Sequence, residues 1–149
     1  MISPIYNAAS EGESPLSPTY LAIYDVFYSY VRALAAGDIE TAVNCFAADA
    51  VIECSGIHIE GKGAIRTFAG RFAAQRALGA NLSHIVADFR ANIDGDRARI
   101  SSDLLRSVCK GDSGRVLPDC HYQCELVRQD GAWWLTRCSM AFDHVDILE

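Results

Sequence analysis

From Tyr20 onward, apolar side chains recur at steps of three and four. Ile23, Tyr24, Phe27, Tyr30, Val31 and Leu34 continue one stripe, which predicts an amphipathic helix. Gly37 suits the left-handed position that ends such a helix, and Asp38 suits the cap of a second, short one from Ile39 to Phe46. A strand is predicted from Asp49 to Cys54 and another over Ile57–Glu60. Gly61 and Gly63 then break the chain. Ile65, Phe68 and Phe72 mark a third helix that ends near Gly79. Residues 1–18 carry Ser, Pro, Gly and Glu with little apolar pattern; they read as a flexible tail before a single domain over 19–149.

Beyond Gly79 the period drops to two. Strands are predicted over Leu82–Ile93, Ala98–Val108, Val116–Arg128 and Trp133–Phe142, with turns at IDGDR and QDGA and a longer loop at GDSG. Leu82, His84 and Val86 share one face, but Phe89, Ala91 and Ile93 are the apolar set further along. The parity switch predicts a β-bulge near Ala87–Asp88. With Ile93 opposite Ala98, Phe89 then faces Ser102, Val86 faces Leu104 and His84 faces Arg106. On the fifth strand Cys120, Tyr122, Cys124 and Leu126 point inward; on the sixth, Trp133, Leu135 and Arg137 share a face. Helices first and an antiparallel meander after them make an α+β domain, with the helices against one face of a curved sheet.

Composition narrows the partners. The chain has 149 residues and a formal net charge of -6, with no run of Lys or Arg. Nucleic acid and anionic membrane surfaces are therefore not expected as partners. No apolar stretch reaches the roughly 20 residues that span a bilayer, and the N-terminus lacks the basic and apolar regions of a secretory signal. Six cysteines sit mostly among apolar residues without a CxxC pair, which favours buried thiols in a cytoplasmic protein over a disulfide framework or a zinc site. There is no GxSxG elbow and no glycine-rich phosphate loop, and no cofactor is expected.

The segments YVRALAAGDIETAVNCFAADAVIE, GKGAIRTF, LSHIV, DGDRARI and ELVRQDGAWWLTR, in that order and spacing, resemble the SnoaL-like branch of the nuclear transport factor 2-like superfamily over roughly residues 20–143. The resemblance implies a cone-shaped α+β barrel: three N-terminal helices on a strongly curved, mostly antiparallel sheet around a pocket. It also implies relatives of three kinds. Some are dehydratases and cyclases, some are epoxide hydrolases, and some bind ligands or assemble without catalysis. Such relatives usually pair through the outer face of the sheet, so a homodimer is expected, or a trimer.

In the dehydratase relatives a histidine on the matching strand does acid–base work, and His84 occupies that position in LSHIV. A neighbouring Arg106 disfavours the imidazolium, so His84 is expected to be neutral near pH 7 and able to take a proton; the competing reading is a core histidine whose ring nitrogens are both satisfied. Tyr30 stands on the inward stripe and is the expected proton donor; the competing reading is simple core packing. Tyr24, Phe27, Phe68 and Cys54 are expected to line the pocket from the helices and first strand. Ser102, Tyr122 and Arg137 are expected to line it from the later strands, with Arg137 holding an anionic oxygen or forming a surface salt bridge.

One departure is marked. The relatives' helix-one aspartate, which orients the histidine, is Ala35 here. Asp25, Asp103 and Asp143 are poor substitutes by parity or position. The expected activity is a cofactor-independent lyase or isomerase on a hydrophobic polyketide, terpenoid or aromatic molecule. A binding or assembly module stays open because of Ala35, and an epoxide hydrolase is the more distant reading.

Overall fold

A computed structural model describes the backbone over residues 17–77, 82–110 and 113–142, and the side chains there except at 75–77, 82–84, 108–110, 113, 115, 117 and 119. The first helix, α1, is Pro18–Ala36; Ser17 caps it by accepting from the Tyr20 N–H at 3.1 Å, with Pro18 in the first turn. Gly37 closes it at φ 76°, and Asp38 caps α2 (Ile39–Val43) through the Thr41 N–H, both as the sequence predicts. The helix α2 is shorter than expected. The Cys45 carbonyl is recruited by the Leu135 N–H at 2.8 Å, so the chain turns into a strand there.

That strand is β1 (Phe46–Cys54), followed by β2 (Ile57–Glu60), α3 (Lys62–Ala77), β3 (Leu82–Asp94), β4 (Arg97–Lys110), β5 (Ser113–Gln129) and β6 (Ala132–Phe142). The sheet order is β2-β1-β6-β5-β4-β3; β1 and β6 run parallel and every other pair antiparallel. The sheet is curled but not closed, with the helices on its inner face. Both strands flanking the expected GDSG loop are longer than predicted, with Lys110 paired to Ser113; residues 111 and 112 between them lie outside the described residues. The predicted tail lies, apart from Ser17 and Pro18, outside the described residues; Ser17 and Pro18 belong to the start of α1.

Besides a register shift between Phe46 and Val51 of β1 against β6, three irregularities aim the side chains of the later strands. Between the pairs Ala87↔Asp103 and Arg90↔Ser101, two residues of β3 oppose one of β4. Asp88 takes φ 51° at this bulge, and the Ser102 hydroxyl donates to the Ala87 carbonyl at 2.9 Å. Val86, Phe89, Ala91 and Ile93 are consequently all buried on one face. The predicted pairs Ile93↔Ala98, Val86↔Leu104 and His84↔Arg106 are present. A second irregularity lies between Leu104 and Leu105 on β4 against β5, and a third leaves Thr136 unpaired between Leu126↔Leu135 and Glu125↔Arg137.

Candidate active site

The interior is built from aromatic rings. From α1, Tyr20, Tyr24 and Phe27 all meet Phe89, with ring centroids 5.7, 5.0 and 5.9 Å away. One turn on, Tyr30 stands edge-on to Phe46 and to Tyr122, and Phe27 edge-on to Tyr122. These are the T-shaped contacts that ring quadrupoles favour. The spacing of the α1 stripe produces them: residues three and four apart stack on one helix face.

Tyr30 and Tyr122 are fully buried, and burial is the main reason both phenols are pushed well above the usual tyrosine range. Both stay protonated, and the Tyr30 hydroxyl donates to the Met140 Sδ at 4.0 Å, a weak acceptor. Phe27 and Cys54 are buried, and burial raises the Cys54 thiol; Phe68 is half-buried and stacks on Phe72. Tyr24 is half-buried between Phe89 and Tyr28. Ser102 is buried, but its proton is spent on the backbone at the bulge, which leaves only its lone pairs for a ligand.

The backbone of His84 lies directly opposite Arg106, two residues along β3 from buried Val86. The His84 side chain is outside the described residues. Arg106 has the strand parity of buried Ser102 and Leu104, and its Nε is buried without a hydrogen-bond partner. The Tyr20 hydroxyl is in the same condition. Sequence reading placed Tyr20 on the apolar stripe and gave it no role. The available signal was a hydroxyl at a stripe position where Phe would serve for packing.

Arg137 requires a correction. It lies on the outer face, where its Nη2 meets the Glu53 Oε2 at 2.7 Å, and so does not reach the interior. The cause is the extra residue at Thr136: Trp133 and Leu135 point inward before it, Cys138 and Met140 after it. The three-residue step from Leu135 to Cys138 was the sequence signal for that bulge. A groove of about 660 Å³ on this outer face is lined by Glu53, Arg99, Gln123, Glu125, Arg137 and Ser139, among others. None of the other predicted site residues lines it.

The substitutes for the absent aspartate are also placed. Ala35 and Asp25 are exposed, Asp103 is held by His121 at 2.7 Å, and Asp143 lies outside the described residues. His144 is outside them too; His58 is exposed and bonds Glu53 and Glu60. Among the described residues no helix is long and apolar enough to cross a membrane.

Three helices on a curled six-stranded mixed sheet, with rings filling the concave side, define the nuclear transport factor 2-like class of α+β proteins. The chain belongs within it to the family described as the SnoaL-like domain, whose pattern matches residues 17–139. Among solved structures it is similar to a protein of Novosphingobium aromaticivorans provisionally assigned as an aromatic ring hydroxylase. The two are 26% identical over 87% of this chain and 95% of the other, with a TM-score of 0.69. It is similar in fold to a provisionally assigned scytalone dehydratase of Novosphingobium aromaticivorans DSM 12444: 17% identity, 85% of each chain, TM-score 0.65. It is also similar in fold to the hexachlorocyclohexane dehydrochlorinase LinA-type3 of Novosphingobium barchaimii LL02: 16% identity, 85% of this chain, 87% of the other, TM-score 0.69. No curated protein matches the chain.

Proposed function

We propose that the protein is a cofactor-independent lyase or isomerase that moves a proton within a hydrophobic small molecule, with His84 as the base. The observation that carries this reading is the register setting His84 opposite Arg106, a cation whose Nε is buried and unpartnered. A guanidinium beside an imidazole disfavours protonation of the ring, which leaves it free to accept a proton near neutral pH. The same half-buried cation can stabilise negative charge as it develops on a substrate oxygen. Tyr30 keeps its proton and donates it to the weakly accepting Met140 thioether, so a substrate oxygen can take that hydrogen bond.

A dehydration fits these groups. His84 takes a proton from the carbon next to a carbonyl, and the electron pair forms an enolate held by Arg106. The enolate collapses to a carbon–carbon double bond as the β carbon–oxygen bond breaks, and the proton on His84 leaves with the hydroxide as water. The dehydratase and dehydrochlorinase assignments among the fold neighbours lend the reaction class support. A polyketide, terpenoid or aromatic substrate suits the aromatic interior. The second reading, a non-catalytic binding module, is favoured by Ala35, which stands where the dehydratase relatives carry the carboxylate that orients the histidine.

The test is turnover of a panel of hydrophobic β-hydroxy ketones, followed by enone absorbance. His84→Gln should lower the rate by about 10²- to 10⁴-fold with the fold intact. Wild-type rates in that variant would refute His84 as the base; ligand binding without turnover in the wild type would favour the binding module.

We further propose that two copies pair through the outer face of the sheet. Glu53, Arg90, Arg99, Glu125 and Arg137 put charges of both signs on its groove, so a twofold can set guanidinium against carboxylate. Arg99→Glu should shift sedimentation toward the monomer, and an unchanged sedimentation coefficient would contradict this pairing.

A further inference from the structure

We infer that Cys124 and Cys138 form an oxidation site, at which a peroxide converts two opposed thiols into a disulfide that ties β5 to β6. The inference is independent of the proposed function: it needs neither a ligand in the interior nor proton transfer by His84.

The two residues stand directly opposite each other on antiparallel strands, and both are buried. Opposed residues in such a pair have Cα atoms about 4.5 or 5.5 Å apart, and a disulfide takes about 4.4–6.8 Å. The backbone register therefore already suits the bond. The sulfurs are 3.0 Å apart, closer than the roughly 3.5–4.0 Å at which carbon atoms pack. Two cysteines acting only as small apolar fillers would sit further apart. Neighbouring thiols are engaged elsewhere: the Cys45 Sγ donates to the Thr41 carbonyl at 3.4 Å, and the Cys120 Sγ to the His121 carbonyl at 3.7 Å. A metal ion suits the pair less well. Zinc at about 2.3 Å from each sulfur would push the two apart. Among the described residues, no three His, Cys, Asp or Glu side chains are grouped to hold one.

Reaching the disulfide length of about 2.05 Å asks the sulfurs to close by about 1 Å. The strands can give there. The register shifts between Glu125 and Leu126, next to Cys124, and unpaired Thr136 lies two residues before Cys138. The ladder is already interrupted at that bulge, so a small adjustment breaks no further paired bonds. Cys124 also lines the outer-face groove, so peroxide entering from that side has only the thickness of the sheet to cross.

The chemistry balances. The thiolate of one cysteine attacks a peroxide oxygen; the O–O bond breaks, leaving a sulfenic acid and, with the proton the thiol gave up, one water. The second sulfur attacks the sulfenic sulfur; the S–S bond forms, the S–O bond breaks, and the second thiol's proton leaves with the hydroxide as another water. Two electrons pass from the sulfur pair to the peroxide. Burial holds the Cys124 thiol well above the ordinary cysteine range, so the reaction is slow and proceeds through brief local openings.

The test exposes the folded full chain overnight to millimolar hydrogen peroxide. Thiols counted with Ellman's reagent in guanidinium should fall by two from the six of the sequence, and dithiothreitol should restore them. Trypsin cuts after Arg128 and Arg137, so a non-reducing digest should contain the Cys124 peptide joined to the Cys138 peptide. The first of these also carries Cys120, so Cys120→Ala should keep the linkage, whereas Cys124→Ala and Cys138→Ala should each abolish it. Cys124→Ser gives the same reading if the alanine variant folds poorly. The oxidised protein should melt several degrees above the reduced one, because the bond closes a loop of about 15 residues in the unfolded chain. Peroxide-treated protein that keeps all six thiols, gains oxygen at Cys124 without linking, joins a different pair, or melts no higher than the reduced form overturns the inference.

Discussion

At the scale of single residues, the interior is chemically quiet except where donors are left over. Leaving a buried hydroxyl unpaired costs about 1–3 kcal/mol, so Tyr20 is a standing expense that packing alone does not explain. The thiols show the quiet side. Cys45 is pushed up to about 11, first by burial and then by the nearby Cys138, and burial likewise raises Cys54 and Cys124. Cys124 and Cys138 face each other across β5 and β6 with sulfurs 3.0 Å apart and remain free. Thiolate is the reactive form, so at pH 8 Cys45 should react with iodoacetamide roughly a hundredfold more slowly than an ordinary exposed cysteine. Site-resolved mass spectrometry of the native protein measures this; alkylation of Cys45 at the rate of free cysteine would contradict it. Several residue roles were legible in the sequence. The stripe from Tyr20 to Leu34 named the buried side of α1, and the alternation over Cys120–Leu126 named the buried side of β5. Which hydroxyl would go unpaired was not legible, because that depends on partners brought in from distant strands.

At the scale of elements, the bulges decide which chemistry faces inward. The β3 bulge could be read in advance because the apolar parity switches between Val86 and Phe89. The β6 bulge could also have been read, from Leu135 and Cys138, but two tryptophans and the next arginine suggested an unbroken period of two. The result was one charge assigned to the wrong face, since a one-residue slip inverts every side chain beyond it. Asp88 pays for the β3 bulge with a left-handed backbone, φ 51°, a conformation that β-branched residues resist. Asp88→Val should therefore destabilise the protein by about 1–2 kcal/mol in urea unfolding. It should also shift the amide resonances of Ser102, whose hydroxyl caps the Ala87 carbonyl there. A neutral Asp88→Val with an unmoved Ser102 would show that the bulge is not held by this residue's conformation.

For the molecule as a whole, the curled sheet separates two electrostatic worlds: an interior with one described cation left unpaired, and an outer face laced with exposed ion pairs. On the outer face Glu53 is the node. It receives hydrogen bonds from His58 at 3.2 Å and an ion pair from Arg137 at 2.7 Å, and so ties β1 to β2 and to β6. The His58 hydrogen bond is the larger cause holding its carboxyl below the ordinary 4.5, with Arg137 adding to it. Glu40 is lowered likewise by the Arg66 hydrogen bond. The sign follows from linkage. A carboxyl lowered in the fold binds protons more readily when unfolded, so its contribution is complete above pH 4.5 and is lost as pH falls through its folded value. Melting temperature should therefore hold level from neutral pH down to about 5 as far as these two groups are concerned, then drop. Glu53→Gln should flatten that acid limb and lower the plateau slightly, because exposed pairs contribute little each. Raised salt should shrink the difference between the two proteins, since these charges are in water and screened. Thermal melts of both proteins from pH 3 to 7 measure it. An acid limb as steep in Glu53→Gln as in the wild type would mean that the outer-face pairs are ornaments of the sheet and that other carboxylates govern its acid stability.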